Sequence, residues 1–279
     1  ELDKEDNNLN RLNTQISYFI LRRKKKDVVK DLPDKLENNI YIDLGKTQKK
    51  VYAAEVQKTK EELDELIQTE GWTKARFKIL QLLTKLRQIC IDPSIIFDNY
   101  KGESAKIDEL LKIVEETKAN GHKMLIFTTY KKALDLIIPK LNNIGVSSYY
   151  IDGGVSSKKR MELVDKFNND DTDVFIITLK AGGTGLNLTS ATVVIHLDLW
   201  WNPQVENQAT DRAHRIGQKN TVEVIRLITK GTIEERILEL QNKKRKLAEL
   251  LIDNENHTEN QFSKLTEDDI KMLLSMDNE

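Results

Sequence analysis

The sequence predicts an α/β fold in which helices cover both faces of a parallel, doubly wound sheet. Short segments such as "KMLIF" and "DVFIIT" are apolar almost throughout, the pattern of strands buried on both faces. They alternate with stretches whose apolar residues recur every three or four positions, as amphipathic helices require. The Gly-rich "KAGGTGLNLT" follows one of these strands, where such a sheet carries its functional residues.

Residues 1–46 read as connecting structure: a basic run, "LRRKKK", then Leu32-Pro33 and a short strand in "NNIYIDL". Gly45-Lys46-Thr47 is the tripeptide that ends a phosphate-binding loop, but Ile40 stands where that loop needs its first glycine, so the tripeptide is read as leading into a helix. Residues 47–100 are helical. Tyr52, Val56, Leu63 and Leu66 form one apolar face and Ile79, Leu82, Leu86 and Ile89 another, which predicts two long helices as a helical insertion or a hairpin.

Residues 101–230 hold the α/β unit. A helix over Ile107, Leu110, Leu111 and Val114 precedes the strand "KMLIF"; then come the helix "YKKALDLIIPKL", the strand "SSYYID" and the helix "SSKKRMELVDKF" with Met161, Val164 and Phe167 inward. The strands "DVFIIT" and "TVVIHLD" flank the Gly-rich turn, and a polar helix through "QVENQATDRAHR" leads to the strand "TVEVIRLI". Residues 231–279 close the chain with helices: Thr232-Ile233-Glu234-Glu235 is a capping box opening one over Ile233, Ile237 and Leu240, and Thr266 with Asp269 opens another over Ile270, Leu273 and Leu274.

Of 279 residues, 39% are hydrophobic and 32% charged, a globular composition; 44 basic against 45 acidic residues leave a net charge of -1, so any nucleic-acid surface must be a local patch. Cys90 is the only cysteine, which excludes an internal disulfide framework and a Cys-based zinc site. With no apolar run near the ~20 residues of a membrane span and an acidic start, the reading is an intracellular protein with no membrane partner.

The most informative stretch is "WWNPQVENQATDRAHRIGQ", Trp200 to Gln218. Arg212 and Arg215, three apart on the expected helix, would project their guanidinium groups from one face and could grip an anion, whose phosphoryl geometry suits the planar fork of arginine. A solvated charged face is the plainer alternative.

Gln208 to Gln218 closely resembles motif VI of the SWI/SNF-type ATPases, the double-stranded-DNA translocases of helicase superfamily two, and the resemblance extends over nearly the whole chain. "FILRRKKKDVVKDLPDKLE" is similar to the family's inter-lobe segment and "LRQICIDP" to the end of its helical protrusion. "KMLIFTTY" resembles motif IV, "YYIDGGVSSKKRMELVDKF" motif IVa, "IITLKAGGTGLNLTSATVVIHLDLWWNP" motif V and its sequel, and "GTIEERILELQNKKRKL" the brace helix. Asp92-Pro93 departs from the family's usual His-Pro, and Gly154 stands where a polar residue is common.

The resemblance implies the second RecA-like lobe of a longer polypeptide, since it assigns the phosphate loop and Asp-Glu pair to a first lobe not in this sequence. ATP and Mg²⁺ would be held mainly by that lobe, with Arg212 and Arg215 supplied as arginine fingers, Gln208 helping to position the γ-phosphate or water, and Gly183 and Gly185 allowing backbone approach to the nucleotide. Thr128, Arg160, Lys180 and Trp201 match positions that face duplex DNA, with Trp201 expected outward and Trp200 inward. The implied partners are double-stranded DNA, the first lobe and DNA-bound proteins; the location is the bacterial cytoplasm with the nucleoid, or a nucleus in a eukaryote. This lobe alone would be inactive. A strand-separating DNA or RNA helicase and a non-catalytic nucleic-acid- or protein-binding module are the alternatives.

Overall fold

A computed structural model describes residues 32–250, apart from 180 and 182–184, together with Leu273; for 72–74, 76 and 244–250 it describes the backbone alone. The "LRRKKK" run, the helix opened by Thr266, and the site residues Lys180 and Gly183 lie outside the described residues.

Six strands form one sheet: β1 (Lys35–Ile42), β2 (Met124–Thr128), β3 (Ser148–Ile151), β4 (Val174–Thr178), β5 (Val193–His196) and β6 (Val222–Thr229), in the order β1-β6-β5-β2-β4-β3. All neighbours pair in parallel. β2 and β4 are buried at every position, as apolar strands covered on both faces must be. β1, from the stretch read as connecting structure, is an edge strand of this sheet, in register with β6 from Lys35 opposite Val222 to Ile42 opposite Thr229.

The helices divide between the faces. α2 (Ala105–Ala119) and α3 (Lys131–Asn143) pack Leu110, Val114, Leu134 and Ile137 against Ile126, Ile176 and Ile195 on one side. α4 (Ser157–Asn169) and α5 (Pro203–Thr210) pack Val164, Phe167 and Ala209 against Leu125, Phe175, Ile177 and Val194 on the other. The chain thus leaves β2 towards one face and its neighbour β5 towards the other. The crevice between their carboxyl ends is the topological switch point, the usual ligand position in an open α/β sheet.

α1 (Lys46–Ile91) is broken at Gly71, whose φ of 73° and ψ of 162° are not helical. Glu55 and Lys85, which a straight helix would hold about 45 Å apart at 1.5 Å per residue, form an ion pair at 2.5 Å. The two arms therefore fold back as a hairpin. Its inner face, with Tyr52, Val56, Ile79, Leu83 and Leu86, packs on Leu199, Trp201 and Ile228, and on Ile233, Ile237 and Leu240 of α6 (Ile233–Leu250).

At the hairpin's start the Thr47 N–H donates to Glu103 Oε1 at 2.8 Å, and Gln48 Nε2 reaches Ile89 O at 2.9 Å. Gly45-Lys46-Thr47 is accordingly a structural clip: the chain's own carboxylate takes the amide that a phosphate would use. Backbone N–H groups of Glu103 itself and of Thr47 hold that carboxyl below its usual range.

Two local expectations are corrected. Met161 is 55% exposed, while Val164 and Phe167 are buried as read; the buried face of α4 is narrower than the sequence pattern. The helix expected through "QVENQATDRAHR" ends at Thr210, and turns carry the chain through Arg212 and Arg215.

Candidate nucleotide and nucleic-acid site

The arginines sit on the turns that follow α5. Past its C-cap, Asp211, the chain tightens through backbone bonds from Arg212 N to Ala209 O, Ala213 N to Thr210 O and Gln218 N to Arg215 O. This segment lies against the stretch leaving the Gly-rich turn: Leu188 N donates to Arg212 O at 2.9 Å, and Arg215 Nη1 to Leu186 O at 3.2 Å. Arg212, Arg215 and Gly185 are therefore brought together, though not by one helix face. Gly185 has a φ of 38°, and a Cβ there would meet nothing, so the backbone conformation and not crowding favours glycine.

Burial lowers the pKa of Arg212 and the adjacent charge of Arg215 lowers it further, against a smaller opposing effect from Asp211. Its Nε is buried without a hydrogen-bond partner. A half-buried guanidinium beside a second cation gains most from an anion, and phosphate oxygens match its fork. Gln208, in the last turn of α5, is solvent-exposed. Among the described residues, no three His, Cys, Asp or Glu side chains gather as a metal site, and no helix is long and apolar enough to cross a membrane.

Of the residues expected to face DNA, Thr128 and Trp201 are placed differently from expectation. Thr128 is fully buried and donates to Asp198 Oδ1 at 2.8 Å, so it offers no surface contact. Trp201 is 3% exposed within the hairpin cluster, whereas Trp200 is only half-buried; the expected orientation of the pair is reversed, because α1 and α6 cover Trp201. Arg160 is half-buried and donates to Ala181 O and Val155 O, each at 3.1 Å, which ties the start of α4 to the Gly-rich turn.

A cluster not expected from the sequence occupies the switch-point crevice. Arg87, from the hairpin, pairs with Asp198 Oδ2 at 3.0 Å and donates to Leu199 O, while Asp198 Oδ1 also accepts from Thr129 N at 2.9 Å. The rings of Tyr130, Trp200 and Trp201 lie 5.4, 5.5 and 5.3 Å from the guanidinium carbon. An arginine among Leu83, Leu86, Ile89 and Cys90 and an aspartate ending an apolar strand were the available signals. Behind the arginine turn, Glu206 is buried and accepts from Trp200 N, Gln241 Nε2 and Arg226 Nε at 2.7, 2.9 and 3.2 Å; burial nonetheless raises its pKa. Lys106 and Glu234 form a fully buried pair joining α2 to α6.

A parallel sheet of this order, with the arginine turn beside the Gly-rich turn, defines a RecA-like helicase lobe. Residues 105–217 match the helicase conserved C-terminal domain and residues 2–95 the SNF2-related domain. An uncharacterized ATP-dependent helicase of Mycoplasma pneumoniae is 40% identical across 98% of this chain and 26% of its own length. The Sulfolobus solfataricus SWI2/SNF2 ATPase core in complex with dsDNA is similar with a TM-score of 0.71 and 34% identity, over 96% of this chain and 56% of that one. The Sulfolobus solfataricus SWI2/SNF2 ATPase C-terminal domain is similar with a TM-score of 0.69 and 31% identity, over 88% of this chain and 100% of that one. The chain belongs to the Snf2 family and carries its helicase C-terminal domain together with a match to the SNF2-related domain. It spans about a quarter of the length of the curated relatives it matches, 26%, 24% and 28%.

Proposed function

We propose that this chain is the second lobe of an ATP-driven translocase on duplex DNA, which couples hydrolysis to movement and to remodelling of DNA-bound proteins. ATP with its Mg²⁺ is held mainly by a first RecA-like lobe of the same polypeptide. Closure of the two lobes brings Arg212 and Arg215 onto the γ-phosphate, where each stabilises charge developing on the transferred phosphoryl group. Gln208 is assigned to positioning the γ-phosphate or water, and Gly183 and Gly185 to backbone contact with the nucleotide. This lobe by itself hydrolyses essentially nothing, and the working protein resides with DNA, in a bacterial cytoplasm or a nucleus.

The observation that carries this reading is the pairing of two cations on one turn, with Arg212 desolvated and its Nε without a hydrogen-bond partner. The similarity to a SWI2/SNF2 core solved with double-stranded DNA supports duplex DNA as the track. Arg160 and Lys180 are proposed as basic contacts to DNA phosphates, which give affinity without reading sequence.

In the polypeptide carrying both lobes, Arg212→Ala or Arg215→Ala should lower ATP turnover by about 10³-fold or more, with ATP binding retained. Unchanged turnover, or substantial hydrolysis by the purified 279-residue chain, would overturn the assignment. Stimulation by duplex DNA above single strands or RNA is the outcome that separates a duplex translocase from a strand-separating helicase.

A further inference from the structure

The arginine turn is held from within by Gln218. Only 5% of this residue is exposed, and its carboxamide is fully engaged. Nε2 donates to Thr189 O, Ala191 O and Ala213 O at 3.1, 2.9 and 3.2 Å, its two hydrogens shared among three carbonyls. Oε1 accepts from Lys219 N and Asn220 N at 2.9 and 3.0 Å. Gly217, with a φ of 101°, makes the reversal that sends this side chain back beneath the turn.

These bonds join three pieces of chain. Ala213 lies between the two arginines; Thr189 and Ala191 belong to the segment between the Gly-rich turn and β5; Lys219 and Asn220 lead into β6. α5 ends at Thr210, and beyond it local backbone bonds, Arg212 N to Ala209 O, Ala213 N to Thr210 O, His214 N to Thr210 O and Gln218 N to Arg215 O, carry the turn. Its ties to distant segments are Leu188 N on Arg212 O, Arg215 Nη1 on Leu186 O, His214 Nε2 against Pro33 O at 2.8 Å, and the Gln218 amide.

We propose that Gln218 is a positioning residue for ATP hydrolysis: its amide, bonded to the carbonyl of Ala213, locks the arginine turn to the segment behind the Gly-rich turn and so sets where the Arg212 guanidinium stands when the lobes close. The proposal rests on the finger reading of Arg212. Gln218 touches no nucleotide; it acts through Arg212. Glutamine suits the task because donor and acceptor ends are both needed. A carboxylate would face three carbonyl oxygens with no hydrogen to give, and a shorter amide would not span the gap.

The test is a mutant cycle in the two-lobed polypeptide, using Gln218→Met, similar in length and uncharged, Gln218→Glu, Arg212→Ala, and each Gln218 change combined with Arg212→Ala. A misplacement of about 1 Å is worth about 10²-fold. Each Gln218 variant should therefore lower kcat by roughly 10- to 100-fold, with KM for ATP within about twofold. In the Arg212→Ala background the same changes should lower the residual turnover by less than about threefold, since the group they position is gone. An unchanged kcat, a loss confined to KM, or the full loss repeated in the Arg212→Ala background would overturn the proposal. Failure of both Gln218 variants to fold would assign the residue to lobe stability and would also overturn it. If Arg212→Ala alone leaves turnover intact, the finger reading fails first, and that result is distinct from a Gln218 variant with no effect beside an inactive Arg212→Ala.

Discussion

Arg87 and Arg212 carry the same side chain into two environments that treat it in opposite ways. Arg87 is almost fully buried, paired with Asp198, bonded to Leu199 O and enclosed by three aromatic rings. Its charge is answered inside the lobe, and it welds the hairpin to the strand ends. Arg212 is half-buried, and burial and the neighbouring Arg215 charge lower its pKa; a buried Nε without a hydrogen bond is common to both arginines. A buried cation with a carboxylate and π-faces around it is structurally complete, whereas a desolvated one beside another cation is suited to an arriving anion. The difference explains why the crevice at the switch point, the usual ligand position, is filled here by the protein, while the candidate nucleotide contact lies on a turn.

The largest stability effect should fall on the Arg87 side of this comparison. Arg87→Ala leaves the Asp198 carboxylate buried without its cation and should cost about 3–5 kcal/mol in denaturant unfolding. Adding Asp198→Asn should recover part of the loss, because a neutral amide oxygen can still accept from Thr129 N. A loss below about 1 kcal/mol would mean that the two arginines do not differ as described.

A smaller effect should come from His196, which stands between the two sites. It is fully buried, stacks on Phe127 and bonds Thr210 Oγ1 at 3.0 Å; burial, then the charge of Arg226, pushes its pKa down to about 3. The folded lobe therefore refuses a proton that the unfolded chain accepts below about 6.5. Stability should be flat in this respect above that pH and should fall as pH drops, by up to about 1.4 kcal/mol per unit from this group. Between pH 4.5 and 6.5, above the usual carboxylate range, His196→Gln should flatten the slope, and an unchanged slope would show that His196 does not carry it. The smallest effect should be that of Arg212→Ala on stability, within about 0.5 kcal/mol, despite its large effect on turnover. A marked loss of stability would make Arg212 structural and erase the contrast.

Much of the fold was legible in the sequence because periodicity is local. Apolar strands alternating with amphipathic helices announced the sheet, and both apolar faces of the hairpin are those that pack. The arginine pair was expected on a helix and its setting was misread: "DRAHR" continues a helix-compatible pattern, yet α5 stops at Thr210, where His196 bonds the Thr210 hydroxyl, and Leu188 N bonds Arg212 O in the turns that follow. Thr128 and Trp201 were expected to face DNA because they match family positions that do. Asp198 draws Thr128 inward, and the hairpin and α6 cover Trp201, neither of which is adjacent to it in sequence.

Hydrophobic periodicity, set by neighbours within a few residues, was enough for the sequence alone to determine a parallel α/β sheet and two long helices, and the residues themselves gave two arginines three apart near one strand connection. Which arginine is sealed, which side chain of the Trp pair faces out, and how Gln218 closes the turn were decided only in the tertiary structure. Those outcomes depend on partners far apart along the chain, Arg87 with Asp198 at a separation of 111 residues among them, and burial and charge compensation arise only when such segments meet.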